Sequence, residues 1–439
     1  MKKLFNFIRL VWAFPRSYLV FVRPEYDNLF GKLRHLARFY RHFALRRTRM
    51  VTVVGSLGKS STHRAIMTAL SCPPRNLSFS NYGTSLAANL LRIRPWDRFG
   101  VLEVGISGPS GMGAYAQMIE PDVVVVTSIT SEHFRLFPRL EDTRAEKVKM
   151  VTGLPPTGIA ILNGDDPHVR WMATQTKARI VTYGFGPDND VRATDIAKDE
   201  KSTTFNLHLA GKVHPVRIRL LGQHMVYPVL AAVTVAHLEK IDITATLSRL
   251  AELTPVPLRM ERTSLPSGVD IIDDSYKSGI ETVWSAFATM AQMTANRKIV
   301  VLGDTGSPDG NMRDVYREVG RKLAQFADLV ICIGSHGMQS VRAGGIEAGM
   351  TYEQFNLAGS RIGPVHQYLQ DLCQAGDLVL FKGNDRQRLH RLALKLRGHP
   401  VACQVKFCRV KVENCAQCPL LNAPASRFSN PWISRSIDP

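Results

Sequence analysis

The chain contains one stretch in which the residue types that hold a polyphosphate stand at workable spacing: Gly55-Ser56-Leu57-Gly58-Lys59-Ser60-Ser61. Glycines let backbone N–H groups approach phosphate oxygens, Lys59 offers a point charge, and the Ser60 hydroxyl can ligate Mg²⁺. Such a loop works between a strand and a helix, because the helix N-terminus adds positive potential. Both elements can be read beside it. Met50–Val54 is apolar and β-branched, and Thr62–Leu70 has helical composition. The loop reads G-x-x-G-K-S, shorter than the general G-x-x-x-x-G-K-[ST], so in isolation it also fits an ordinary strand-to-helix turn. With its flanks it reads as a nucleotide site.

Other residues with chemistry to offer stand at strand ends. Glu103 closes the apolar run Phe99–Gly105, where a carboxylate can hold Mg²⁺ directly or through water, or can simply be solvated. The loop after it, Gly105–Gly113, is glycine-rich and suggests close approach of backbone to a ligand. His133 follows the run Val123–Ser128; a loop histidine alone is a weak signal. Near the end, Cys403-x4-Cys408-x6-Cys415-x2-Cys418 can close a tetrahedral thiolate site. The spacing is not a standard zinc pattern, and an iron–sulfur cluster would use the same ligands. Free thiols are the competing reading.

These residues need a scaffold, and 439 residues supply enough chain for two or three domains. Residues 50–252 alternate strand-like runs with helix-like stretches, which predicts an α/β domain with a mostly parallel sheet. Within it, 190–220 alternates polar and apolar residues as an antiparallel excursion, and Gly222–Lys240 reads as a helix. Leu253–Pro257, with its prolines, reads as a linker. Beyond it, Val269–Asp273, Ile299–Gly303, Leu329–Gly334 and Leu378–Gly383 predict a smaller Rossmann-like domain over 258–399. Residues 400–439 form a cysteine-bearing tail.

The net charge of +19 is uneven. Residues 1–50 hold twelve Lys and Arg against Glu25 and Asp27, a net of +10. That imbalance calls for an acidic partner, whether anionic lipid, a phosphorylated substrate or nucleic acid. Leu4–Val22 is apolar and aromatic but interrupted by Arg9, Pro15 and Arg16, which argues against a spanning helix. An interfacial segment over 1–49 is one reading; a helix packed on the protein's own surface is the other. No aromatic–basic interleaving of the RNA-binding kind occurs elsewhere, which argues against a nucleic-acid partner. An odd number of cysteines, seven, beside a nucleotide motif suggests a reducing cytosol; on the interfacial reading the leader would lie at the inner face of the membrane.

Taken in order, the landmarks resemble the Mur ligase family, which forms amide bonds with ATP in peptidoglycan precursor synthesis. The likeness is nearest to the members that add D-alanyl-D-alanine. It rests on the phosphate loop, Glu103-Val104-Gly105, the strand and loop leading to His133, Lys147, and Gly158-Ile159-Ala160-Ile161-Leu162-Asn163-Gly164-Asp165-Asp166. It continues through Asn81-Tyr82-Gly83-Thr84, Leu258-Arg259-Met260-Glu261, Ile271-Ile272-Asp273-Asp274-Ser275-Tyr276, Val301-Leu302-Gly303-Asp304 and Phe381-Lys382-Gly383-Asn384. The resemblance implies that Ser60 and Glu103 hold one Mg²⁺ and His133 a second. It implies that Lys147 is carbamylated, although the landmark Gly153-Leu154-Pro155 would also admit Lys149. It implies that Arg259 and Asp274 reach ATP from the C-terminal side. The reaction implied is carboxylate attack on the γ-phosphate, giving an acyl phosphate that an amine captures.

The departures from the family pattern are specific. The adenine-side Gly-x-His-Asn-x-x-Asn appears as Gly222-Gln223-His224-Met225-Val226-Tyr227-Pro228, without either asparagine. Thr127-Ser128 stands for Thr-Asn, and Tyr276-Lys277-Ser278 for Tyr-Asn-Ala. The basic leader stands where the family carries its UDP-sugar-binding domain, which weakens the expectation of a standard muropeptide substrate that the core motifs alone would give. Two alternatives follow: a ligase that builds a polymer, like poly-γ-glutamate synthetases, or a nucleotide-binding regulatory subunit whose ligase activity has decayed.

Overall fold

The computed structural model describes residues 30–73, 81–106, 108–130, 137, 139–199, 202–305, 311–334, 337–359, 362–403, 408, 414–418 and 421–422. They form two compact units that divide between Thr254 and Pro255. Of the expectations above, Leu4–Val22 and His133 lie outside the described residues.

The first unit is built on an eight-stranded sheet of order β2-β1-β3-β4-β5-β6-β7-β8. Its strands are β1 (Arg49–Val54), β2 (Phe99–Glu103), β3 (Val123–Val126), β4 (Ile159–Asn163), β5 (Arg179–Gly184), β6 (Val191–Lys198), β7 (Thr203–Leu209) and β8 (Lys212–Ile218). Pairing is parallel from β2 to β6 and antiparallel across β6, β7 and β8. The division follows composition. Val123–Val126 is buried at every position, as a strand covered on both faces must be. In β7 burial alternates, as expected of a strand with one wet face. Strand β5 was not foreseen: Arg179 and Ile180 are exposed, so its apolar signal is short.

Helices cover the parallel part: α1 (Phe30–Phe43), α2 (Lys59–Ala69), α3 (Gly83–Leu91), α4 (Gly111–Ile119), α5 (Leu140–Thr152), a single turn α6 (Pro167–Trp171), α7 (Val226–Leu238) and α8 (Ile243–Ala251). Helix α7 is apolar nearly all round, from Val229 to Ala236 without a break in burial, and it packs beside α2. Helix α1 comes from the basic leader yet belongs to this unit. Leu33 and Ala37 are buried in the core shared with α3 and α4. Arg41 is buried too, and its guanidinium donates to the carbonyls of Ile119 (2.9 Å), Glu120 (3.0 Å) and Leu45 (2.6 Å) and to the Asp122 carboxylate (3.1 Å). It thus satisfies carbonyls at the C-terminus of α4 that have no partner inside the helix.

The second unit is a six-stranded sheet of order β13-β12-β11-β14-β10-β9. Its strands are β9 (Glu261–Ser264), β10 (Asp270–Asp274), β11 (Arg297–Gly303), β12 (Leu329–Ile333), β13 (Phe355–Leu357) and β14 (Asp377–Lys382). Only β9, at the edge, is antiparallel. Helices α9 (Ile280–Ala291), α10 (Met312–Leu323), α11 (Gly337–Glu347), α12 (Ile362–Leu372) and α13 (His390–Leu396) complete it. The four foreseen strands are present; the short edge strands β9 and β13 carry too few apolar residues to be read from sequence.

Candidate active site

The phosphate loop joins β1, in the interior of the first sheet, to the N-terminus of α2. Gly55 has φ +142° and Gly58 φ +77°, conformations that residues with a Cβ rarely adopt. A Cβ on Gly55 would lie 2.0 Å from the Thr127 hydroxyl, so the loop is pressed against the end of β3. Thr127 and Ser128 hold it there. Ser56 N–H donates to the Ser128 carbonyl (2.7 Å), Leu57 N–H to the Ser128 hydroxyl (3.1 Å), and the Thr127 hydroxyl to the Leu57 carbonyl (2.6 Å). The serine that replaces the family's asparagine therefore still anchors the loop. Helix α2 starts at Lys59 with no acidic residue in its first turn, which leaves its positive end uncompensated from within.

Two lysines converge on Ser56. Lys59 Nζ donates to the Ser56 carbonyl (2.6 Å), and Lys147 Nζ, from α5, donates to the Ser56 hydroxyl (3.0 Å). Both are buried. Burial first, and the nearby Lys59 second, drive the Lys147 ammonium well below the ordinary lysine range. Lys149, two residues on, points elsewhere: it is half-exposed and paired with Glu146 (2.6 Å). Glu146 in turn accepts from Met112 N–H (2.8 Å). Helical geometry accounts for the separation, since residues two apart face different sides.

Glu103 ends β2, opposite Val53 in the parallel register, one strand from the loop. Its Oε1 accepts from the Asn81 amide (2.7 Å), and the Asn81 carbonyl accepts from Gly105 N–H (2.8 Å). Hence Asn81 fixes both the carboxylate and the loop that follows it. His63, on α2, shares a hydrogen bond with the Val101 carbonyl (3.2 Å) and is held below the usual histidine range by burial, with Glu103 pulling the other way. The Ser60 hydroxyl and the Glu103 carboxylate are oxygen donors of the kind that suits Mg²⁺.

The sequence reading gave Asp165, Asp166 and Tyr227 no role of their own. Asp166 caps α6, accepting from His168 and Val169 N–H (2.9 and 3.2 Å), and also accepts from Ile129 N–H (2.8 Å). Asp165 accepts from Phe185 N–H (2.5 Å), Gly186 N–H (3.0 Å), Asn189 (2.8 Å) and the Tyr227 hydroxyl (2.9 Å). The Tyr227 ring lies against Phe185, centroids 4.2 Å apart. An Asp-Pro start of a helix is a readable capping signal. The Asp165–Tyr227 contact spans sixty-two residues and leaves no local trace.

In the second unit, Asp274 closes β10 next to Lys382 at the end of β14. Lys382 Nζ donates to Asp274 (2.6 Å) and to the Lys277 carbonyl (2.7 Å). Asp274 also accepts from Met260 N–H (3.2 Å), and the Arg259 guanidinium lies 4.4 Å from the centroid of the Tyr276 ring. Sequence reasoning singled out Arg259 and Asp274 but gave no role to Lys382, the lysine that holds Asp274. Asp273, pointing the other way into the fold, is pushed up to about 7 by burial, with the Ser275 hydroxyl (2.5 Å) opposing the rise.

The tail cysteines do not form the expected metal centre. Cys403, Cys415 and Cys418 gather around Leu394 and Leu421. Among the described residues, no group of three or more His, Cys, Asp or Glu is placed to hold a metal ion. Burial pushes the Cys415 thiol up to about 12, so it packs as a small apolar group. Cys403 Sγ accepts from Arg391 (3.2 Å), and Cys415 N–H donates to His390 (2.6 Å). All seven cysteines are free thiols.

Comparison with known proteins settles the family. Residues 52–236 match the Mur ligase middle domain, and residues 258–385 match the Mur ligase, glutamate ligase domain. The chain belongs to the Mur ligase family. It is 25% identical over 384 residues to the UDP-N-acetylmuramoyl-tripeptide–D-alanyl-D-alanine ligase of Bacillus subtilis, covering 86% of this chain and 81% of that one. Its fold is that of MurF from Acinetobacter baumannii, with a TM-score of 0.74, 21% identity, and 84% and 80% of the two chains covered. The ADP complex of MurF ligase from Thermotoga maritima superposes with a TM-score of 0.72 at 20% identity, over 84% and 83%. The protein is accordingly an ATP-dependent ligase that forms C–N bonds.

Proposed function

We propose that the protein activates a carboxylate acceptor by phosphoryl transfer from ATP and joins it to an amino acid or another amine. The observation that carries this reading is Lys59 at the N-terminus of α2, its Nζ held on the Ser56 carbonyl with Lys147 buried beside it on the Ser56 hydroxyl. An acceptor carboxylate and the ATP γ-phosphate are both anions, and fixed cations offset their repulsion and the charge that develops between them. A carboxylate oxygen attacks the γ-phosphorus, and the bond to the ADP oxygen breaks. The amine lone pair then attacks the acyl carbon of the acyl phosphate; phosphate leaves and the amine gives up a proton.

Mg²⁺, when bound, neutralises phosphate charge. Ser60 and Glu103 are the residues proposed to hold it, with His133 assigned to a second ion. Lys147 is proposed to carry a carbamate. Its burial beside another lysine favours the neutral amine, the form that adds CO₂, with loss of a proton, to become an anion. Arg259 and Asp274 are proposed as further nucleotide contacts. The net of +10 over residues 1–50 supports a cytoplasmic enzyme working at the inner face of an anionic membrane.

The test is a screen of amino acids and dipeptides against acidic acceptors with Mg²⁺ and ATP. The reading expects ADP release that needs both acceptor and amine, and a product whose mass is their sum less water. A ladder of products would instead mark a polymer-forming ligase. ATP turnover indifferent to every amine would contradict the ligase reading.

A further inference from the structure

The face of the first unit formed by α1 and the turn after α3 plays no part in the ligase site. Helix α1 turns Leu33, Ala37 and Arg41 inward and leaves Phe39 and Phe43 each 60% exposed. Their rings lean on one another with centroids 4.4 Å apart. In the turn after α3, Trp96 is 76% exposed, more than any other large hydrophobic side chain among the described residues. That turn is tied to the end of α1: the Tyr40 hydroxyl donates to the Ile93 carbonyl (2.8 Å) and the Thr48 hydroxyl to the Asp97 carbonyl (2.9 Å). Elsewhere the exposed large hydrophobics are scattered singly, as on any soluble surface.

Cations accompany these rings. Arg46 and Arg47 are exposed just beyond Phe43, and the exposed Arg94 guanidinium lies 5.6 Å from the Trp96 ring centroid. Residues 30–50 contain no Asp or Glu. Aromatic tips among arginines match the boundary of an anionic bilayer, where rings enter the acyl edge and guanidinium groups meet lipid phosphate. A single-stranded nucleic acid would need open aromatic faces for stacking, whereas Phe39 and Phe43 cover each other. An apolar protein surface would leave the arginines unmatched.

We propose that this face docks the protein on an anionic lipid surface, with Phe39, Phe43 and Trp96 inserted and Arg46, Arg47 and Arg94 on headgroup phosphates. It rests on the peripheral reading above and places the contact on the folded unit rather than on residues 1–29 alone. The experiment is co-sedimentation of the full chain with phosphatidylcholine vesicles containing about a third phosphatidylglycerol, at two salt concentrations. Three variants separate the contributions. Phe39→Gln/Phe43→Gln/Trp96→Gln should bind about tenfold more weakly with unchanged salt dependence. Arg46→Gln/Arg47→Gln/Arg94→Gln should bind more weakly and with a shallower salt dependence. Both should keep the far-ultraviolet circular dichroism and the vesicle-free ligase activity of the parent. Lys2, Lys3, Arg9, Arg16 and Arg23 changed together to Gln should leave a vesicle interaction that is still sensitive to the aromatic changes. If that third variant abolishes binding while the aromatic variant binds like the parent, the docking face is overturned and the peripheral reading stands. If the parent does not bind vesicles, or binds a single-stranded oligonucleotide instead, both are overturned.

Discussion

Lys147 and Lys382 are both 1% exposed, and each reaches the C-terminal end of an interior strand, yet their surroundings differ. Lys382 meets Asp274 at 2.6 Å, and the attraction opposes the burial that lowers its affinity for a proton. Lys147 has a serine hydroxyl at 3.0 Å, a second lysine nearby and, among the described residues, no carboxylate as a hydrogen-bond partner. The second unit thus balances its buried charge internally. The first places Lys147 where burial and Lys59 disfavour its ammonium form, leaving Lys59 as the charge offered to anions at the phosphate loop. A site meant to gather two anionic reactants has reason to be built this way.

Altering these lysines should separate catalytic from structural effects. The largest expected effect is on turnover: Lys147→Ala should lower kcat by about 10³, with partial rescue by short carboxylates that occupy the vacated anionic position. Full activity of that variant in bicarbonate-free buffer would remove the carbamate assignment. Next is stability. Lys382→Met strands Asp274 and should cost about 3 kcal/mol, whereas Lys147→Met should cost nothing or raise the unfolding midpoint. Equal losses in denaturant titrations would erase the contrast.

Asp273 gives a pH signature for the second unit. Its folded value, about 7, lies above its ordinary 3.8, so the fold holds this proton more tightly than the unfolded chain does. The stability it contributes is therefore full below pH 3.8 and lost as pH rises through 7. Between pH 5 and 7 the loss should be about 2 kcal/mol, and Asp273→Asn should flatten that slope. The smallest effect belongs to Lys149→Ala, whose half-exposed pair with Glu146 should alter activity by roughly twofold at most.

What the sequence revealed depended on how local each signal was. The loop Gly55–Ser61 could be read because strand, turn and helix are contiguous. The alternation over β7 could be read because burial on one face repeats every second residue. Asp165 with Tyr227 and Asp274 with Lys382 could not, because each pair is made by distant segments meeting at the ends of interior strands. The four tail cysteines misled for a related reason: spacing suggested ligation, while packing around Leu394 and Leu421 makes at least Cys415 a core residue. Basic leader composition suggested either an interfacial segment or a surface-packed helix, and α1 packs one face while presenting Phe39 and Phe43 on the other.

The most direct test of the account is phosphate release by Lys59→Met, measured with acceptor, amine and Mg²⁺ present. Lys59 holds one loop carbonyl, that of Ser56, but Gly55, Thr127 and Ser128 anchor the loop independently of it, so the variant should fold as the parent does. Removing the cation at the head of α2 should bring release down to background. Undiminished ATP consumption by a folded Lys59→Met protein would contradict the assignment of this loop as the site of phosphoryl transfer.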